Sequence, residues 1–152
     1  MSVEQQELPA LPVTFRPTRT RVVLLSVGTV MFAVITAVAF ALEKLTTGER
    51  ISFVLTALLF FGVLALLGRP KVVADEQGVT VVNLTRSRRL EWAEIIRVNL
   101  RSGDPWVFLD LSDGTSLPVL GIQPGIARQH AVRDARALRA LAESRGTGTD
   151  NG

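Results

Sequence analysis

The side chains in this sequence that could do chemistry are few: one histidine, His130, two neighbouring carboxylate pairs, Asp75 with Glu76 and Asp110 with Asp113, and scattered arginines. Nucleophilic catalysis needs a nucleophile beside a base. There is no cysteine, and His130 lies in an Arg- and Ala-rich stretch that reads as the surface of a helix. Both carboxylate pairs border predicted turns, where aspartate suits the backbone geometry for its own reasons. No phosphate-cradling glycine loop and no metal-ligand spacing occurs. The sequence therefore predicts no catalytic residue, no cofactor and no metal site, and the chain is expected not to be an enzyme.

The element that dominates the chain is a pair of hydrophobic segments, Val22 to Leu42 and Ile51 to Gly68, joined by the polar link Glu43 to Arg50. Neither segment contains a charged residue. At ~1.5 Å per residue each is long enough, as a helix, to cross a hydrocarbon core of ~30 Å. Neither shows a polar face, so as soluble core helices both would need apolar partners on every side. The other segments of a 152-residue chain are too short to supply them. Residues 21–68 are thus expected to be a two-helix transmembrane hairpin, which makes the lipid bilayer a partner. Because no ionisable residue lies inside either span, an ion or proton pathway is disfavoured.

Arg16, Arg19 and Arg21 precede the first span, while Arg69 and Lys71 follow the second. This basic bias predicts both termini in the cytoplasm, with the protein integral to the plasma membrane. The same arginines followed by Ala37, Val38 and Ala39 imitate a cleavable signal, but the apolar run exceeds the usual length of about 7–15 residues and a second follows at once. Thr29, Ala33, Ala37 and Ala41 form a small-residue stripe at four-residue spacing, suited to packing the hairpin or a second copy as a homo-oligomer. A net charge of +3, from 17 basic and 14 acidic residues, is no nucleic-acid signature, and none is expected as a partner.

Residues 1–20, with Pro9, Pro12 and Pro17, read as a disordered tail, and 146–152 as another. Between them, from Lys71, short apolar runs alternate with turn residues at regular spacing, which is the all-β pattern. Six strands are predicted: Lys71–Ala74, Val79–Leu84, Arg88–Glu91, Ile95–Arg101, Trp106–Leu111 and Thr115–Val119. In the fourth, Ile96, Val98 and Leu100 are expected to face one way and Arg97, Asn99 and Arg101 the other. Trp92 is expected in the core. After Gly121 and Pro124 the period becomes helical, with Ala127, Ala131, Ala135, Leu138 and Ala142 on one face and Arg128, Arg136 and Arg139 on another, ending near Gly146. Residues 71–145 are expected to form one small domain.

A strand series closed by one C-terminal amphipathic helix, attached to a membrane hairpin, resembles the bacterial pleckstrin-homology (PH)-like domains. The runs Val73 to Val81, Leu90 to Ile95 and Leu111 to Thr115 are similar to the actinobacterial group called low-molecular-weight protein antigen 6, over about Lys71 to Val119. The resemblance implies a small PH-like barrel or sandwich plugged by the helix. PH domains that bind inositol phosphates usually carry basic residues in the first hairpin loop. Here that loop is Asp75, Glu76, Gln77 and Gly78, which would repel a phosphorylated headgroup.

If the first strand rises from the membrane and strands alternate thereafter, Asp75, Glu76, Glu91, Glu94 and Asp113 fall far from the lipid. Arg69, Lys71, Arg86, Arg88 and Arg101 fall near it, and these five are the expected surface for contact with a partner or with anionic lipid. The expected function is a membrane-anchored interaction module that binds a protein partner or scaffolds an envelope complex. The alternative is an anionic-lipid surface sensor or lipid-handling protein.

Overall fold

A computed structural model of the protein describes residues 8–125 and 128–146. The tails expected at 1–7 and 147–152, and Ala127 of the helical pattern, lie outside the described residues. The chain forms two compact units, one made by Thr18–Arg69 and the other by the sequence on either side of it.

The first unit is a helical hairpin of α1 (Thr18–Ala41) and α2 (Thr47–Leu67), each long and apolar enough to cross a membrane. Both helices begin about one turn before the uncharged runs. For α2 the cause is a capping box: Thr46 accepts from the Glu49 amide while the Glu49 carboxylate accepts from the Thr46 amide at 2.8 Å. That reciprocal pair satisfies two donors that helix geometry leaves orphaned. The two helices pack along a seam in which Gly28, Ala39 and Ala57 are buried. A Cβ on Gly28 would stand 3.1 Å from the Phe61 ring, so a larger residue there would have to push that ring aside by a few tenths of an ångström. The stripe Thr29, Ala33, Ala37, Ala41 is not this seam; all four residues are exposed. Their four-residue spacing drifts off the three-and-four alternation that keeps a seam facing its neighbour. Around the outside, large apolar side chains such as Phe40 and Leu59 stand 65% and 68% exposed.

The second unit is two antiparallel sheets closed by a helix. The first sheet has the order β1-β2-β3-β4, with β1 Val13–Phe15, β2 Lys71–Ala74, β3 Gly78–Val82 and β4 Ser87–Glu91. A single turn of 3-10 helix, Trp92–Glu94, leads into the second sheet, β5 Ile95–Asn99, β6 Val107–Leu111 and β7 Ser116–Val119, in the order β5-β6-β7. Helix α3, Arg128–Gly146, completes the unit. The six expected strands and the final helix are all present, within a residue or two at their ends.

The seventh strand corrects the expectation of a disordered tail over 1–20. Val13–Phe15 pairs antiparallel with β2, placing Phe15 opposite Val72, and Phe15 is buried in the core. Three residues and three prolines conceal a strand this short, because its apolar side chain acquires a partner only from sequence beyond the hairpin. The hairpin is therefore an insertion between two neighbouring strands.

The core is built from alternate residues of both sheets, Val72, Val79, Val81 and Leu90 from one and Val107, Leu109 and Val119 from the other. The buried stripe of α3, Ala131, Ala135, Leu138, Leu141 and Ala142, lies over them. Each fully buried Leu or Val contributes roughly 1.5–3 kcal/mol. Asn83 joins the two sheets, its Nδ2 donating to Pro118 O at 2.9 Å and its Oδ1 accepting from Leu120 N at 3.1 Å. Close backbone packing sets Gly121, where a Cβ would lie 2.7 Å from the Lys71 backbone. The expected alternation in β5 is broken by a register shift between Ile95 and Arg97: Ile95 and Val98 are buried, while Ile96 is 67% exposed. A bulge adds one residue and moves the side chains before it to the opposite face.

Because Phe15 and Val72 are neighbours, replacing Thr18–Arg69 with a short Gly-Ser turn is expected to leave a soluble, β-rich domain that melts cooperatively. Circular dichroism of that variant checks it, and a random-coil spectrum would count against the strand pairing. In the same background Trp92→Ala is expected to lower the unfolding free energy by about 3–5 kcal/mol, read by denaturant titration. The Trp92 ring is 5% exposed, and its indole donates to Asp75 O at 3.0 Å.

Candidate functional site

The five expected contact residues come from different elements. Arg69 ends the hairpin unit and is exposed. Lys71 opens β2, and Arg86 closes the β3–β4 turn, in which Asn83 N donates to Arg86 O at 2.8 Å. Since Lys71 pairs with Val82 and Val82 with Ser87, Lys71 and Arg86 occupy the same end of the first sheet. Among the described residues neither side chain has an ion-pair partner. Arg88, by contrast, stands 3.8 Å from Asp113, a residue expected at the opposite end. Arg88 shares the core-facing side of β4 with Leu90 and, at the sheet edge, reaches the β6–β7 turn of the other sheet. Strand alternation sorts ends only within one sheet, and the 3-10 turn between β4 and β5 ends its reach. Both partners are about half exposed, so the pair adds little stability.

Arg101 lies elsewhere again, just past β5, where its amide donates to Asp104 Oδ2 at 2.8 Å. It lines a cleft of about 430 Å3 between the β5–β6 connection and α3. Arg128, Arg136 and Arg139 line the same cleft from the helix, and Val98, Val132 and Ala135 provide its apolar surface. The sequence signal for this convergence was present in the placing of those three arginines on one helix face. What it lacked was the strand that the face would meet. Asp104 is the one acidic residue lining the cleft, and Arg139 pairs with Glu143 at 3.0 Å.

Of the carboxylates singled out in the sequence, Asp75, Asp110 and Asp113 are engaged in turns and strand pairs, while Glu76 is exposed. Asp110 accepts from Asn99 Nδ2 at 2.6 Å across the strands, and Asp113 accepts from Thr115 N at 2.9 Å. His130 is exposed on α3, 3.3 Å from Asp134, whose carboxyl is pushed above its usual range by partial burial. Among the described residues there is no group of three or more His, Asp or Glu able to hold a metal ion.

Asp75 organises the first hairpin loop. Its Oδ1 accepts from the amides of Gln77 and Gly78, closing the turn. Both its carboxylate oxygens take hydrogen bonds from Arg89, each at 2.7 Å, while Arg89 also donates to Thr80. The loop's charge is thus partly neutralised from within, and a bidentate fork is the strongest form of such a pair. The Arg89 hydrogen bonds, followed by those from the two amides, hold the Asp75 carboxyl down at about 2. Because this pKa is depressed in the folded state, the stabilisation is complete above the unfolded value of ~3.9 and is lost as pH falls toward 2. Carboxyl NMR titration of Arg89→Ala is expected to show Asp75 returning toward its ordinary range. The same variant should lose less stability than wild type between about pH 4 and 2.

The comparisons with known proteins agree with this architecture. The profile of the family described as bacterial PH domain matches residues 69–141. An uncharacterised protein of Mycobacterium bovis, and another from each of two Mycobacterium tuberculosis strains, are 30% identical to this chain over 95 residues. The aligned region covers 62% of this chain and 61% of each of theirs, so the match spans about three fifths of the length of these curated relatives. No solved structure matches. With its two antiparallel sheets and closing helix, the segment 69–141 belongs to the bacterial PH domain family.

Proposed function

We propose that this protein is a membrane-anchored, non-catalytic interaction module whose PH domain is held at the cytoplasmic face of the plasma membrane, where it binds a protein partner or scaffolds an envelope complex. The observation that carries the reading is the insertion of the hairpin between β1 and β2. Its two helices present apolar side chains outward along their length, a surface that water does not tolerate but lipid does. A domain joined to such a hairpin by both of its ends has two covalent tethers, and both leave the same end of one sheet. The basic residues Arg16, Arg19 and Arg21 before the helices and Arg69 and Lys71 after them favour both tethers on the cytoplasmic side. PH-like domains generally bind rather than catalyse, and the turn and strand-pair roles of Asp75, Asp110 and Asp113 accord with that.

A second reading, contact with anionic lipid, is favoured by one observation. Lys71 and Arg86 share the sheet end from which the tethers leave, and neither is paired among the described residues. Basic groups near an anionic surface gain about 1 kcal/mol each. Under this reading Arg69, two residues before Lys71 in the chain, would add to the surface, whereas Arg88 is engaged with Asp113 and Arg101 lines the cleft against α3.

Reporter fusions at Thr47 and Gly146 test the anchoring. Cytoplasmic-type activity is expected at Gly146 and periplasmic-type activity at Thr47, and the reverse would sink the topology. Flotation of the hairpin-replaced domain with phosphatidylglycerol vesicles separates the two readings. The protein-partner reading expects the domain to stay at the bottom of the gradient, and the lipid reading expects it to rise with the vesicles and to stop doing so on Arg86→Ala.

A further inference from the structure

Four arginines line the cleft between the β5–β6 connection and α3, against one acidic residue, Asp104. Asp104 Oδ2 accepts from the Arg101 amide, and of the four arginines Arg139 has a carboxylate partner, Glu143, one turn further along its own helix. Arg101, Arg128 and Arg136 have no ion pair among the described residues. On α3, Arg128, Val132, Arg136 and Arg139 recur at helical spacing, so the helix turns a mixed basic and apolar face toward β5. Solvated arginines usually spread over convex surface, where they repel one another least. Here they converge on a concave space.

We infer that this cleft is a binding site for a phosphate-bearing organic anion. A phosphate carries about −1.5 to −2 charge and three acceptor oxygens, which several planar guanidinium forks can engage together, whereas a lone carboxylate offers a single charge and two oxygens. The apolar surface from Val98, Val132 and Ala135 would receive the organic body to which the phosphate is attached. A volume of about 430 Å3 falls in the range of small-molecule sites. The site is separate from the first hairpin loop, where Asp75 already occupies the only nearby arginine that is oriented by a partner, Arg89. The inference does not depend on which partner the domain meets at the membrane.

The test uses the full chain in phosphatidylcholine nanodiscs, titrated with inorganic pyrophosphate and followed by amide NMR at Ser102 and Gly103 and by calorimetry. A second arm omits pyrophosphate and adds phosphatidylglycerol to the discs, which distinguishes a lipid headgroup from a soluble phosphate. Saturable shifts at Ser102 and Gly103 are expected in at least one arm. Arg136→Ala is expected to weaken that binding by about tenfold, and Arg136→Lys by less, since it keeps the charge and loses the fork. Arg145→Ala, exposed on α3 and outside the cleft, should leave it within about twofold. Three results would overturn the inference: no shifts in either arm, an equal loss from Arg145→Ala, or an oligoglutamate peptide binding as tightly as pyrophosphate.

Discussion

The pairing of Phe15 with Val72 is the constraint on which the rest of this structure depends. It brings together two pieces of chain that flank the helical hairpin, and so turns what would be a domain hung on one linker into a domain that continues on both sides of an insertion. Phe15 is buried beside the residues of β2 and β3, so the same contact that closes the insertion also fills the core. Loop-closure entropy grows only slowly with loop length, and a stiff hairpin whose ends already lie together costs less still. The short links Arg16–Pro17 and Arg69–Pro70 are then sufficient, and proline in each limits how far the chain can wander.

Inside the domain, polar contacts link elements that hydrophobic burial alone would leave free to slide. Asn83 clamps the β3–β4 turn to the end of β7, and Trp92 reaches from the 3-10 turn to the carbonyl of Asp75. Asp75 in turn holds Arg89 of β4. A one-residue slip in any of these strands would reverse every side chain on it, and these bonds oppose such a slip. Asp75, read as part of an acidic loop that would repel phosphate, is thereby a structural centre. The repulsive charge left to that loop is mainly Glu76, which is exposed.

Much of this fold was legible in the sequence because it depends on period and punctuation. Uncharged runs marked the helices, and Gly78, Gly103 and Gly114 marked turns, the last two with positive φ that only glycine adopts easily. The stripe Ala131, Ala135, Leu138, Ala142 marked the buried face of α3. What could not be read depends on partners distant in sequence. The bulge at Ile96 needs the register of β6, and β1 needs β2. The Arg88–Asp113 contact needs the meeting of two sheets. The capping box is a different case: Thr46 followed three residues later by Glu49 is a local signal, and with it the last residues of the polar link begin a helix.

The same distinction explains the basic residues. Ordering them by strand direction treats charge as a property of ends, and within the first sheet that holds, since Lys71 and Arg86 do share one. Arg101 shows where it fails. It follows an edge strand whose neighbour on the open side is a helix, and its companions Arg128, Arg136 and Arg139 come from that helix rather than from any strand. Elsewhere in this domain Arg89 pairs with Asp75 and Arg88 with Asp113, while Arg86 stands unpaired among the described residues. In the cleft Arg101, Arg128 and Arg136 have no ion-pair partner among the described residues. An anion entering the space that these three arginines line gains attraction from each of them.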